Sequence, residues 1–158
     1  MFLTTHAVLG AIAGEFAPHP VFAFLMGVVT HLISDMIPHG DSNLYENYKN
    51  KSSVAKSIAY VVVDAIVSIF AVIWMFTSLP DNNAYNRAFG ILGGLLPDLL
   101  VGLSEIVKIN LLKKFVKIHF YFHNFFTSRY KDISLHEGLT LQMFFLVFLI
   151  HELTVIAY

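Results

Sequence analysis

The chain has 158 residues, enough for one domain, and carries 10 Lys and Arg against 11 Asp and Glu. It is 56% hydrophobic and only 13% charged, about half the charged share of a soluble domain, which is the composition of an integral membrane protein. The formal net charge of −1 names no partner, and the absence of cysteine excludes disulfides, thiolate metal sites and a cysteine nucleophile.

Thr4 to Phe16 reads as a short apolar helix in which Gly10 and Gly14 form a Gly-x-x-x-Gly face suited to close helix contact. At about 1.5 Å per residue it is too short to cross a hydrocarbon core of about 30 Å. The opening Met-Phe-Leu-Thr-Thr-His lacks the positive region of a signal peptide, so it is expected to belong to the mature fold. Pro18-His19-Pro20 forces a turn, and Val21 to Ile37 is a marginal span. The pair is expected to form an N-terminal helical hairpin or re-entrant element, with one long kinked span as the alternative. Asp41 to Ser53 reads as a polar, water-exposed loop. Ser57 to Leu79 is the clearest transmembrane helix and buries Asp64. After a turn at Pro80-Asp81-Asn82-Asn83, Ala88 to Val107 is the next span, with Gly90, Gly93, Gly94, Pro97 and Asp98. Pro97 is expected to break it, and a broken helix beside a carboxylate lines a polar cavity rather than lipid. Lys108 to Lys131 alternates basic and aromatic residues with no acidic one, the pattern of a basic interfacial helix. Leu139 to Ala157 is the final span. The expected fold is all-α: residues 1–158 as a single membrane-embedded domain, an integral bundle of about four to five helices.

Lysine and arginine gather in segments 41–56 and 108–131, while the 80–87 turn has only Arg87. The positive-inside rule puts both long loops in the cytoplasm. Asp64 and Asp98 then lie at matched depth, about 15 Å from that side. His31, Asp35, His39 and Asp41 close the same side, as does the i, i+4 pair His119 and His123; the hairpin adds His6. His151 and Glu152 fall at the opposite face, and His19 and His136 read as loop residues.

The densest block is HLISDMIPHGD, residues 31–41, where His31 and Asp35 share one helix face and Pro38 ends the helix before His39 and Asp41. Histidine and carboxylate donors without thiolates suit a divalent metal: zinc, with manganese or iron as alternatives. Intramembrane carboxylates point to function by their cost.

TTHAVLGAIAG, HLISDMIPHGD, GGLLPDLL and HFYFHNFFTS together resemble the bacterial membrane-bound metal-dependent hydrolases, small inner-membrane proteins of which some are induced by DNA damage. The resemblance runs from Thr4 to about Leu149. More distantly, the His/Asp-rich helical site is similar in kind to the zinc-dependent phospholipase C and single-strand nuclease fold. The resemblance implies His6, His31, Asp35, His39 and Asp98 as ligands or site formers. HNFFTS, residues 123–128, departs from an Arg-x-x-Thr-His-Ser-like family motif, with Thr127 where a second histidine is expected.

The expected function is hydrolysis of a phosphoester or ester bond in a lipid-like substrate at the cytoplasmic face, through a metal-activated water. His31, Asp35, His39 and Asp98 hold one or two ions, with His6 or His123 completing the shell, and Asp64 or Asp41 takes the proton. Lys113, Lys114, Lys117 and Arg129 attract anionic headgroups. The basic segment is too apolar to be free for DNA, so no nucleic-acid partner is expected. The alternatives are a small metal-ion or proton transporter and a non-catalytic metal-stabilised scaffold.

Overall fold

The computed structural model describes residues 1–158, apart from the side chains of Ser42 and Asn43. It is all-helical, with no strand among the described residues. The helices are α1 (Leu3–Glu15), α2 (Pro20–Asp35), α3 (Ser42–Lys49), α4 (Val54–Ser78), α5 (Ala84–Ile106), α6 (Asn110–His123), α7 (Thr127–Tyr130) and α8 (Leu135–Ala157), with a 3-10 turn at Asp81–Asn83 before α5. Three segments are long and apolar enough to cross a membrane: Val54–Ser78, Asp81–Ile106 and Leu135–Ala157.

The bundle is built around the short first helix. Nine of the 13 residues of α1 are buried, whereas α4 buries only Ser57, Ser68 and Met75. Helix α1 packs against α2, α4, α5 and α8. Its apolar residues form no stripe, and a helix that is apolar all round belongs inside. The core joins Ala7, Val8 and Ala11 of α1 to Met75 of α4, Ile91 of α5, and Leu149 and Leu153 of α8. Facing glycines let the backbones of α1, α2 and α5 meet: a methyl on Gly10, Gly27 or Gly90 would strike backbone of the neighbouring helix.

Local chemistry explains most boundaries. Pro20 stands at the first position of α2, and the ring of His19 caps it by accepting the Phe22 N–H at 3.2 Å. Helix α8 starts at Leu135, earlier than expected, because Ser134 and Glu137 form a capping box. His136 is therefore helical. Two expectations are corrected. Segment 41–53 contains helix α3, held where Tyr45 donates to Glu105 at 2.7 Å and packs its ring, tilted, against Phe120. Helix α5 runs unbroken through Pro97, which is buried.

At the far end of α5 from Asp98, buried Arg87 closes the bundle. Its Nε donates to Glu15 Oε1 at 2.6 Å, and its two remaining nitrogens donate to the carbonyls of Met75 and Pro80 at 3.1 and 2.8 Å.

Candidate metal centre

The ends of α2, α5 and α6 bring four side chains to one point. His31 and Asp35 lie one turn apart on α2, Asp98 follows Pro97 on α5, and His119 projects from α6. Round the group, His31 Nε2 is 3.2 Å from Asp35 Oδ2 and 3.7 Å from Asp98 Oδ1. His119 Nε2 is 3.7 Å from Asp35 Oδ2 and 3.6 Å from Asp98 Oδ1. Four donors at about 2.1 Å from a tetrahedral zinc would stand about 3.4 Å apart. These four spacings lie near that value and all four donors lie within 4.8 Å of one another, so the group could hold a metal ion.

Hydrogen bonding sharpens the fit. His31 Nε2 and Asp35 Oδ2 are fully buried polar atoms without a hydrogen-bond partner. They lie 3.2 Å apart in one group with the donors of Asp98 and His119, where a bound cation would satisfy both. Each is fixed from behind. His31 Nδ1–H donates to the Gly94 carbonyl at 2.7 Å, which leaves the Nε2 lone pair free. Asp35 Oδ1 accepts from His6 Nε2 at 3.0 Å, which leaves Oδ2 free. His6 also stacks on His31, with ring centroids 3.8 Å apart. Burial, opposed by the Asp35 charge, pushes the His119 imidazole down to about 4, so it stands neutral at neutral pH as a ligand must. Asp98, 27% exposed, is the open side of the group.

A second group adjoins the first through Asp35 and contains His39 and His123. His39 Nδ1–H donates to the Ile37 carbonyl at 2.6 Å. Asp41 Oδ1 lies 2.7 Å from His39 Nε2 and 3.3 Å from His123 Nε2. The amino group of Met1 lies among them, 2.6 Å from Asp35 Oδ1 and 2.7 Å from His39 Nε2. Burial works to lower the His123 pKa, but its hydrogen bond to Asp41 prevails and raises it. His123 thus pairs with the Asp41 carboxylate, and with Asp35 and His39 it forms a second group that could hold a metal ion. Gly40, at φ +79°, makes the turn between these residues and lies against the start of α8. Gln142 of α8 ties the turn down by donating to the His39 carbonyl at 3.2 Å.

The structure brings His31, Asp35 and Asp98 together as expected from the sequence, with His6 behind them and His39, His123 and Asp41 beside them. It adds His119, whose signal was its i, i+4 spacing from His123. It places Asp64 elsewhere, on the first turn of α1. There Asp64 accepts the N–H of Leu3 at 2.6 Å and the Thr4 hydroxyl at 2.8 Å. A carboxylate at a helix N-terminus satisfies unpaired donors and the positive end of the dipole. Asp64→Ala is expected to cost about 1–2 kcal/mol of stability with bound metal unchanged. Thermal unfolding and metal analysis of the same preparation check this; metal loss at unchanged stability would return Asp64 to the site.

The chain matches no protein-family model, no curated protein and no solved structure.

Proposed function

We propose that this chain is a membrane-embedded metal-dependent hydrolase acting on a phosphoester or ester bond of a lipid-like substrate. The observation that carries the reading is the pair of buried, unpartnered atoms, His31 Nε2 and Asp35 Oδ2, gathered in one group of donors with His119 and Asp98. The resemblance to bacterial membrane-bound metal-dependent hydrolases agrees with it. In this reading α1 and α2 form the hairpin of a bundle of four to five principal helices, α6 lies in the interface, and the site faces the cytoplasm from the inner membrane.

His31, Asp35, Asp98 and His119 would hold the ion, zinc by its nitrogen and oxygen donors. Such an ion supplies Lewis-acid polarisation of a phosphoryl or acyl oxygen and acidifies water. The protein's own part is orientation and proton movement. His6 and the Gly94 carbonyl hold Asp35 and His31 in place. Asp41, 18% exposed and beside His39 and His123, takes the proton from the attacking water. His123 stabilises the Asp41 carboxylate before transfer. Exposed Lys113, Lys114 and Lys117 on α6, interleaved with exposed Leu111, Ile118 and Tyr121, suit an anionic lipid surface. Arg129 is less free, because it stacks on Phe125 and donates to the Phe125 carbonyl. A transporter is less well supported: the opposite end holds the satisfied Glu15–Arg87 pair.

The test is elemental analysis of protein purified in mild detergent. Stoichiometric zinc is expected, falling to background in His31→Ala/Asp35→Ala while the variant still inserts. Phosphoester lipids are then screened for metal-dependent turnover. Protein that binds no metal under any reconstitution condition would end the hydrolase reading.

A further inference from the structure

Three buried histidines are held in the same way. His31 Nδ1–H donates to the Gly94 carbonyl, His39 Nδ1–H to the Ile37 carbonyl at 2.6 Å, and His123 Nδ1–H to Asn124 Oδ1 at 3.2 Å. Each ring is fixed from behind and leaves Nε2 to the donors around it, the usual way in which a protein orients a histidine ligand. Only His31 belongs to the first group of donors. His39 and His123 belong to the second, their ring centroids 4.8 Å apart, and an oxygen of Asp35 lies within 4.8 Å of a nitrogen of each. All three side chains of this second group are buried.

Hydrogen bonding alone leaves the second group in conflict. With its proton on Nδ1, His39 presents a lone pair at Nε2. That nitrogen lies 2.7 Å from the Met1 amino group, a donor, and 2.7 Å from Asp41 Oδ1, an acceptor. The lone pair suits the amino group and opposes the carboxylate. A proton on Nε2 would suit the carboxylate and oppose the amino group. A divalent ion in place of the amino group satisfies the lone pair and the carboxylate together. It would also replace the hydrogen bond that joins His123 to Asp41, since metal and proton compete for one nitrogen.

Charge points the same way. Asp35 and Asp98 offset one divalent ion in the first group, which leaves Asp41 to the second. The Met1 amino group, 2.6 Å from Asp35 Oδ1 and 3.7 Å from Asp41 Oδ2, already sets a positive charge there. Asp35 divides its oxygens between the two sides. Its Oδ2 lies near His31 and His119, whereas its Oδ1 lies against the amino group beside His39.

We infer that the chain holds two divalent ions, one at His31, Asp98 and His119 and the other at His39 and His123, joined through the shared carboxylate of Asp35. The pair itself rests on these ligands. What it would act on rests on the hydrolase reading, where two ions suit a phosphoester because they stabilise the attacking and the leaving oxygen.

The test is metal titration of the full chain in mild detergent after chelation. Zinc is counted by elemental analysis once excess ion is removed, and manganese is followed by electron paramagnetic resonance. Two zinc ions per chain are expected. With manganese, the signal of an isolated ion should fade as the second site fills, because ions that share a carboxylate couple magnetically. His39→Ala/His123→Ala should keep one ion and show the isolated signal at full loading. One ion in the parent, unchanged in that variant, would overturn the inference and leave the hydrolase reading its single ion. One ion that the variant loses would overturn it by placing the only ion in the second group. Two ions without coupling would overturn the shared carboxylate. Stoichiometry and coupling are both read on the parent protein, so a variant that fails to fold leaves the inference decided. No ion at all would end both readings. Two coupled ions with no turnover of any lipid phosphoester would sustain the pair while the hydrolase reading fell.

Discussion

Arg87→Ala is expected to destabilise the protein by about 3–5 kcal/mol, the usual cost of breaking a buried ion pair from one side. The Arg87 and Glu15 side chains are 1% and 3% exposed, so neither charge is relieved by water. Removing the guanidinium strands the Glu15 carboxylate, which keeps only the Asn83 side-chain amide at 2.9 Å, and orphans the Met75 and Pro80 carbonyls. Those partners lie on α1, on α4 and in the turn before α5, so one side chain fastens the elements that meet at this end. Arg87→Lys keeps the charge but cannot supply the three-way fork, and should recover only part of the loss. Glu15→Leu/Arg87→Leu leaves no stranded charge and should be more stable than Arg87→Ala. Unfolding in mixed micelles measures all three. Metal content is expected to survive, because Arg87 lies 11 residues before Asp98, about 16 Å along α5. A loss below about 1 kcal/mol for Arg87→Ala would mean that the pair is solvated and weak.

The three spans were legible because long apolar runs admit few other readings, and the polar clustering at one end followed from alternating span direction. The identity of the hub was not. Helix α1 is too short to span and has no apolar stripe, so it reads as a minor element, yet its uniform character is what lets four helices surround it. Asp64 and Asp98 carry the same signal in sequence, a carboxylate in a span at similar depth. Only packing separates them: Asp64 meets the N–H groups of α1, whereas Asp98 faces the histidines. The choice between His119 and His123 depends on the rotation of α6 about its own axis, which i, i+4 spacing leaves open. Helix α3 was hidden because its partners, Glu105 and Phe120, are about 60 residues or more distant in sequence.

The second large effect concerns a residue with no polar side chain. Gly94→Ala is expected to weaken metal binding about 10–100-fold, the range for losing a group that orients a ligand. A methyl here would run into the carbonyl oxygen of His6, and a backbone atom cannot turn aside as a flexible side chain would. Helices α1 and α5 must therefore part, at an overpacking cost of about 1–3 kcal/mol. Two supports of the centre start from the residues that meet there and reach α2, one from α5 and one from α1. The Gly94 carbonyl accepts His31 Nδ1–H, and His6 holds Asp35. Both ligands loosen together, although neither has been changed. Gly102 on the same helix provides the control, since nothing lies within 4 Å of a methyl placed there. Gly102→Ala should bind metal normally and gain up to about 1 kcal/mol from helix propensity. Metal titration and thermal unfolding of the two variants separate the effects. If Gly94→Ala bound zinc as tightly as Gly102→Ala, the centre would not depend on the α1–α5 contact, and His31 would need another anchor than the Gly94 carbonyl.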